Sequence, residues 1–169
     1  MKTIHKLLFL AVAVLALTAI SPPKAQAQMG AGNVSSTSVF FEPLAPHGDW
    51  YYTQQYGWVW SPYMASAAWQ PYQSGHWVYT NDYGYMWVSE EPWAWATYHY
   101  GRWTWLDGVW LWIPDPTWGP AWVAWSHTST HVGWAPLPPG VAMGGYGTVN
   151  VNVNISWRHW MYVPGTRLL

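Results

Sequence analysis

Aromatic residues recur at every second position over much of the chain. Four tryptophan pairs have the spacing i, i+2: Trp58/Trp60, Trp93/Trp95, Trp103/Trp105 and Trp110/Trp112. Successive side chains of a β-strand point to opposite faces, so this spacing places both rings of a pair on one face. Beyond residue 27, no segment keeps the apolar period of an amphipathic helix. The pattern predicts an all-β protein of antiparallel hairpins, with minimal helix outside the N-terminal segment.

The hairpins are predicted to repeat along the chain. Gly-x-Trp segments begin at Gly48, Gly75 and Gly101, at intervals of 27 and 26 residues. Each is followed by a second aromatic strand and by a connector rich in proline and tryptophan, and a looser fourth unit covers residues 121–134. Tandem units of this length complete one another's core. We therefore expect four hairpins and one or two C-terminal strands, either closed as a small barrel or stacked as an open hairpin array.

The third hairpin can be predicted in detail. Asp107-Gly108 is a strong signal for a two-residue type I′ turn, in which both residues have positive φ. This turn places Trp105 opposite Trp110 and Trp103 opposite Trp112, at the non-hydrogen-bonded positions where side chains approach most closely. Cross-strand aromatic pairs of this kind contribute on the order of 0.5–1.5 kcal/mol each. We expect these four residues to form a structural tryptophan zipper.

Residues 1–27 have the pattern of a secretory signal peptide. Lys2 and Lys6 precede an apolar run over residues 7–20, and Ala25-Gln26-Ala27 is typical of a cleavage site. The run of about 14 residues is shorter than the roughly 20 that span a bilayer, although an uncleaved anchor is the alternative. We expect an exported protein, periplasmic or extracellular, with no membrane span after cleavage.

The rest of the chain divides into three parts. Residues 28–38 are small and polar and are predicted to form a flexible leader. Residues 39–140 carry the tryptophan-rich hairpin repeats. Residues 141–169 comprise a glycine-rich bend, a segment over 148–156 in which aliphatic residues alternate with asparagine, and a last short strand over 157–165.

Composition narrows the range of partners. The chain has 18 tryptophans and no cysteine, which excludes disulfides, thiolate metal sites and a lipid on cysteine. All three lysines precede residue 28, so three arginines face seven acidic residues beyond it, a net charge of −4 with neutral histidines. Such a surface lacks the cationic groups that nucleic acids and anionic lipids require. Aliphatic residues are scarce in the same region, so the interior must be built largely from aromatic rings.

These motifs resemble two kinds of tryptophan-rich protein exported by Gram-negative bacteria. Residues 105–110 (Trp-Leu-Asp-Gly-Val-Trp) match the W-x-x-G-x-W repeat motif. The hairpin segments and Gly133-Trp-Ala-Pro-Leu-Pro138 are similar to a Trp/Tyr-rich repeat domain of unknown function that often accompanies FecR-type domains in periplasmic proteins. The resemblance covers most of the chain beyond residue 38. It implies an extracytoplasmic location and a repetitive β-fold, and it carries over no catalytic residue.

Candidate chemistry is sparse in this sequence. Glu90 and Glu91 are adjacent and would point to opposite faces of a strand, so they cannot form the carboxylate dyad of a glycosidase. His127 and His131 lack the third ligand that a transition-metal site requires. No nucleophile elbow, phosphate loop or dinucleotide fingerprint is present. We expect no catalytic residue, no metal site and no cofactor.

Sugar binding is an alternative use of the aromatic residues, because a sugar ring presents a face of C–H groups that stacks on an indole. The connector tryptophans are expected to be more exposed than those of the hairpins. They form the candidate ligand platform: Trp69, Trp93, Trp95 and Trp118.

The sequence favours a non-catalytic structural or interaction module of the cell envelope. The alternative is a glycan-binding module for peptidoglycan or exopolysaccharide, and an envelope hydrolase is a remote third. Other envelope proteins and a second copy of the chain are further candidate partners. Interdigitated rings would favour the structural role, whereas several coplanar exposed rings along one face would favour sugar binding.

Overall fold

The computed structural model describes residues 31–63, 68–141 and 154–168. Most regular structure in these ranges is β-strand: β1 (Gly48–Thr53), β2 (Gly57–Pro62), β3 (His76–Thr80), β4 (Gly84–Val88), β5 (Tyr100–Leu106), β6 (Val109–Trp118), β7 (Val123–His127), β8 (His131–Pro136) and β9 (Met161–Pro164). Two α-helices, α1 (Phe41–Leu44) and α2 (Ala94–Thr97), have a single turn each. Short 3-10 turns cover Thr37–Phe40, Ala45–His47, Trp157–His159 and Gly165–Arg167. The predicted all-β fold with little helix is confirmed.

The first eight strands form four antiparallel hairpins, numbered here 1 to 4 in chain order, and these lie in three sheets. Hairpins 1 and 3 join as a four-stranded sheet in the order β1-β2-β6-β5, where Trp60 lies opposite Trp112. Hairpin 2 is a sheet of two strands, and β9 extends hairpin 4 into the sheet β7-β8-β9. Within the described ranges no sheet closes on itself. The fold is therefore the open array of hairpins rather than the small barrel.

At the start of each of the first three hairpins, a glycine packs against a tryptophan ring of the second strand. A Cβ atom on Gly48 would lie 2.2 Å from the Ser61 carbonyl oxygen and 2.6 Å from the Trp60 ring. The same arrangement recurs twice, with Gly75 against the Trp87 ring and Gly101 against the Trp112 ring. The Gly-x-Trp repeat thus encodes a contact in which the indole of the return strand lies on bare backbone.

The turns of hairpins 1 and 2 are copies of each other. The Thr53 hydroxyl accepts from the Tyr56 amide at 3.0 Å and donates to the Gly57 carbonyl at 3.2 Å. Thr80 makes the same two bonds in hairpin 2, at 3.1 and 3.0 Å. The glycine that ends each turn has φ +71°, a left-handed conformation that favours glycine. The repeat seen in the sequence is therefore a repeat of local hydrogen bonding.

Hairpin 3 has the predicted type I′ turn and register. Asp107 and Gly108 have φ values of 50° and 87°, and Trp105 lies opposite Trp110. The rings of this pair meet edge to face with centroids 5.4 Å apart. Trp103 and Trp112 are also opposite each other, but their ring contacts are to other elements, such as Trp69 with Trp103 at 5.5 Å and Phe40 with Trp112 at 5.3 Å. The zipper is thus one ring pair near the turn and two rings that tie the hairpin to the core.

Aromatic rings from all four hairpins meet in one core. Trp60 of hairpin 1 contacts Trp103 of hairpin 3 at 6.4 Å, and Trp77 of hairpin 2 contacts Trp134 of hairpin 4 at 5.6 Å. Several buried indole N–H groups donate to main-chain carbonyls, as Trp112 does to Tyr100 at 2.7 Å. The core therefore combines ring packing with hydrogen bonds from side chain to backbone.

Part of the predicted flexible leader, residues 31–38, is anchored to the fold. The Tyr100 hydroxyl donates to the Gly32 carbonyl oxygen at 2.8 Å, and the Val34 amide donates to the Pro116 carbonyl oxygen at 3.0 Å. Backbone groups of the small polar segment thus pair with residues of strands β5 and β6.

Several predicted features lie outside the described residues: the signal peptide, residues 28–30, the glycine-rich bend beyond residue 141 and the alternating segment up to residue 153. The last predicted strand, over 157–165, is a 3-10 turn followed by β9, which pairs with β8. Among the described residues, no helix has the length and apolar character needed to cross a bilayer.

A candidate aromatic-walled binding groove

A groove runs along the start of hairpin 2 and faces the C-terminal strand β9. It consists of two adjoining cavities of about 430 and 490 Å³ that share Gly75 and His76. Volumes of this size fall in the range of small-molecule sites, about 300–1,000 Å³. We call the first cavity the aromatic half of the groove and the second the acidic half.

Residues 73–76 form one edge of the groove, called here its lip. They follow Tyr72, which has an unusual backbone conformation. Tyr72 is buried and has φ +62°, one of two positive values among non-glycine residues in the described ranges. Its hydroxyl donates to the Tyr98 carbonyl oxygen at 3.0 Å and accepts from the Trp122 amide, and its carbonyl oxygen accepts from the Trp134 indole at 2.9 Å. These bonds offset the backbone strain and fix the direction in which the lip leaves the core.

Three tryptophans form the wall of the aromatic half. Trp77 and Trp87 face each other across hairpin 2 with centroids 5.0 Å apart, and Trp134 lies 5.6 Å from the first and 6.0 Å from the second. The opposite side and rim of this half comprise Gln73, His76, Met161, Val163, Arg167 and Leu168. The three rings are core residues, 6, 2 and 6 % exposed for Trp77, Trp87 and Trp134, so little of each ring is open to the cavity.

The acidic half is lined by Ser74, Ser89, Glu90 and Glu91, together with the two shared residues. The Glu91 carboxylate is held in place, because it accepts from the Trp69 indole at 2.8 Å, from the Ser89 hydroxyl at 3.3 Å and from the Tyr98 hydroxyl. Burial, and then the charge of Glu91, raise the pKa of Tyr98 well above its usual value, so this phenol remains a donor. Glu90 is exposed at the rim.

Two indole N–H groups in the wall lack an acceptor. The Nε1 atoms of Trp77 and Trp87 are buried and have no hydrogen-bond partner among the described residues. The indole of Trp134, in the same wall, is satisfied by Tyr72. An unpaired buried donor costs about 1–3 kcal/mol, and the Trp93 Nε1 atom, outside the groove, is a third such indole among the described residues.

One arginine lies at the groove and two lie elsewhere. The Arg102 guanidinium carbon lies 3.5 Å from the ring centroid of Trp122, and burial lowers its pKa. Arg158 lies over Trp157 at 5.4 Å. Arg167 is exposed at the rim of the aromatic half, with no hydrogen bond or cation–π contact among the described residues. It is the cation that a ligand in the groove would meet.

The connector tryptophans, predicted as a ligand platform, are less exposed than expected. Trp93 is buried, and Trp69, Trp95 and Trp118 are half-buried, so the expectation of exposed connector rings is wrong. The physical reason is that the connectors fold back onto neighbouring hairpins, where their rings complete the core. Trp69 alone is linked to the groove, through its bond to Glu91.

The exposed tryptophans lie elsewhere. Trp58, Trp105 and Trp157 are 49, 41 and 79 % exposed, and the first two belong to hairpins 1 and 3. Trp58 meets Tyr52 edge to face at 5.7 Å, so these two rings are not coplanar. His127 and His131 are exposed near the turn of hairpin 4, and the described residues contain no cluster of three potential metal ligands.

Sequence reasoning missed the groove because its walls are far apart in the chain. The tryptophans were visible as core candidates, but β9 and Arg167 carry no motif that links them to hairpin 2. The available signals were a glycine before a hairpin tryptophan and an arginine isolated in a chain that is poor in cations.

The fold and the groove define a small all-β protein of tandem aromatic hairpins with a candidate ligand site at one edge. The chain belongs to a family of unknown function, DUF6600, which matches residues 41–141. No curated protein and no solved structure matches the chain. The matched range contains all four hairpins, whereas β9 and the Arg167 side of the groove lie beyond it.

Proposed function

We propose that this chain is a non-catalytic module of the Gram-negative cell envelope, exported to the periplasm or beyond, with a structural or interaction role. The observation that carries the proposal is the interlocking of rings from all four hairpins in one core. Rings used in this way stabilise a rigid array and leave few for a catalytic or binding surface. The array offers a stiff frame with exposed edges on which envelope components can assemble.

The location is supported by the N-terminal pattern and by the resemblance to exported proteins that carry FecR-type domains. One feature supports a non-catalytic role: Glu91, which lines the acidic half of the groove, is already engaged by three donors.

Cell fractionation tests the proposal. A chain tagged at its C-terminus should be recovered from the envelope fraction, and the mass of the intact protein should correspond to a start at Gln28. The purified protein should release no reducing sugar ends from peptidoglycan. Retention in the cytoplasm with residues 1–27 intact would contradict the location. A sugar release that Glu90→Gln abolishes would contradict the non-catalytic role and favour the hydrolase.

Glycan binding is a second candidate, because one specific observation favours it. The groove is bordered by Gln73, His76 and Arg167, which supply hydrogen-bonding groups beside three tryptophans that are 2–6 % exposed. In this form the hypothesis differs from the sequence-based one, since it uses hairpin tryptophans instead of the connectors.

A further inference from the structure

We propose that two copies of this chain pair through strand β3, edge to edge and antiparallel, about a two-fold axis at Val78. This inference rests on the first proposed function, the structural or interaction role, and adds a partner and the surface that the partner meets. Three observations carry it: the open backbone edge of β3, the absence of charged residues from this strand, and exposed side chains that a second copy would cover.

One side of β3 has backbone groups without a strand partner. Among the described residues, β4 is the only strand that pairs with β3. The Trp87 amide of β4 donates to the Pro120 carbonyl oxygen at 3.0 Å, so it points away from β3. Residues opposite each other in an antiparallel pair either bond to each other or both point outward. Trp77, opposite Trp87, therefore directs its amide and carbonyl groups to the open edge of β3, and Tyr79, two residues further on, does the same.

The strand also lacks the features that protect other edge strands of the fold. Edge strands are commonly kept from pairing by a charge, a proline or a bulge. β1 has Asp49, β5 has Arg102 with a bulge beside it, and β9 has Pro164. β7 is uncharged as well, but Val123 and Ala124 at its start are buried. The sequence of β3, His-Trp-Val-Tyr-Thr, contains no acidic residue, lysine, arginine or proline, and its register with β4 has no bulge.

An open edge of this kind is complementary to a second copy of itself. Each outward residue offers an amide donor and a carbonyl acceptor, so two antiparallel copies can exchange hydrogen bonds between Trp77 of one and Tyr79 of the other. Val78 then lies on the axis, opposite Val78 of the second copy, as a two-fold interface requires. With neutral histidines, this pairing opposes no like charges, which favours association in a chain with a net charge of −4 beyond residue 27.

Side chains of β3 are exposed where a second copy would cover them. Val78 is 36 % exposed and Tyr79 is 61 % exposed. Pairing places the two Val78 side chains next to each other on one face of the joined sheet, and it places Tyr79 of each copy opposite Trp77 of the other on the second face. Cross-strand pairs of β-branched and aromatic residues stabilise antiparallel sheets. Hairpin 2, a sheet of two strands in the single chain, thereby becomes half of a larger sheet.

Cysteine cross-linking tests this pairing directly, because the chain has no cysteine of its own. Opposite residues at a non-hydrogen-bonded position have Cα atoms about 4.5 Å apart, within the range of a disulfide, about 4.4–6.8 Å. Purified Val78→Cys, oxidised with copper phenanthroline, should therefore run mainly as a covalent dimer on a non-reducing gel. Tyr51→Cys is the matched control, because Tyr51 follows Gly48 in β1 as Val78 follows Gly75, and it is 49 % exposed. This control should remain mainly monomeric.

Sedimentation velocity tests the association without a cross-link. The wild-type protein should show a reversible monomer–dimer equilibrium with a micromolar dissociation constant, since a short strand edge buries less area than a standard interface of about 1,600 Å². Val78→Lys brings two like charges together on the axis and should raise this constant about tenfold or more. Val109→Lys adds the same charge at an exposed valine of β6 and should leave the constant unchanged. The thermal unfolding midpoint of each variant verifies the fold.

Each contrary outcome overturns a defined part of the inference. A wild-type protein that stays monomeric at its highest soluble concentration would show that a second copy is not the partner of β3. If Val109→Lys weakens the dimer as much as Val78→Lys, or if Tyr51→Cys cross-links as readily as Val78→Cys, the assignment to β3 is wrong. None of these results changes the outcome of cell fractionation, so failure of the pairing is distinguishable from failure of the first proposed function.

Discussion

At the scale of single residues, the most informative positions are the glycines at which a neighbouring indole leaves no space for a Cβ atom. Gly48 has an extended backbone, with φ −177°, that any residue can adopt. Its requirement for glycine therefore comes from the Trp60 ring and the Ser61 carbonyl oxygen, and not from its conformation. Gly84 is the opposite case, with φ +71° and open space around the missing Cβ.

This contrast predicts that alanine at the two positions lowers the free energy of unfolding by different amounts. Gly48→Ala should lower the free energy of unfolding by about 3 kcal/mol or more, since the blocking atoms include backbone that cannot move aside. Gly84→Ala, with only the left-handed backbone to oppose it, should cost about 1–2 kcal/mol. Urea unfolding of both variants measures the difference. A loss for Gly48→Ala no larger than that for Gly84→Ala would show that the contact with the Trp60 ring and the Ser61 carbonyl oxygen does not require glycine at position 48.

At the scale of elements, each hairpin is set by its turn. Asp107 has φ 50°, which aspartate and asparagine tolerate and which a β-branched residue strongly resists. The turn in hairpin 2 contains Asp82, which has no positive φ. The two aspartates thus provide a comparison of the same residue type in different turn conformations.

Asp107→Asn should leave the stability of the protein nearly unchanged, because Asn-Gly also favours a type I′ turn. Asp107→Val should destabilise it by about 1–2 kcal/mol. Thermal unfolding of these variants, with Asp82→Val as the control, tests the prediction. A loss in Asp82→Val as large as in Asp107→Val would mean that the charge, and not the turn type, is responsible.

The hairpins could be predicted from the sequence because the patterns that determine a hairpin are local. Period-two aromatics, Gly-x-Trp and Asp107-Gly108 each act over a few residues, and the predicted register of hairpin 3 is confirmed. The order of the sheets was not predictable in this way. It depends on contacts such as Trp60 with Trp112, between residues far apart in a chain where almost any tryptophan could pair with another. The candidate site was missed for the same reason.

At the scale of the whole molecule, the core is continuous while the sheets are separate. Among the described residues, few backbone hydrogen bonds link a sheet to the rest of the fold; one runs from the Trp87 amide in β4 to the Pro120 carbonyl oxygen, in the connector after β6, at 3.0 Å. Aromatic rings bridge them instead, as Tyr83 of hairpin 2 does with Trp118 of hairpin 3 at 4.7 Å. Side chains, more than main-chain ladders, hold the array together.

The distribution of exposure predicts the fluorescence of the folded protein. Most of the described tryptophans are buried or half-buried, so emission should be blue-shifted and mostly protected from acrylamide. The accessible fraction should come from Trp58, Trp105 and Trp157. The triple substitution Trp58→Tyr, Trp105→Tyr, Trp157→Tyr should remove most of that fraction. A large accessible fraction that persists in this variant would contradict the described burial.

The close contact of so many indoles also determines how the protein interacts with light. Rings such as Trp105 and Trp110, with centroids 5.4 Å apart and planes inclined by 68°, share their electronic excitations. Their coupled bands fall in the far-ultraviolet region, where circular dichroism is normally used to count strands and helices. For this protein the far-ultraviolet spectrum reports on the geometry of the rings. When the protein is heated, we expect the signal to be lost as the rings separate, before the strands unfold.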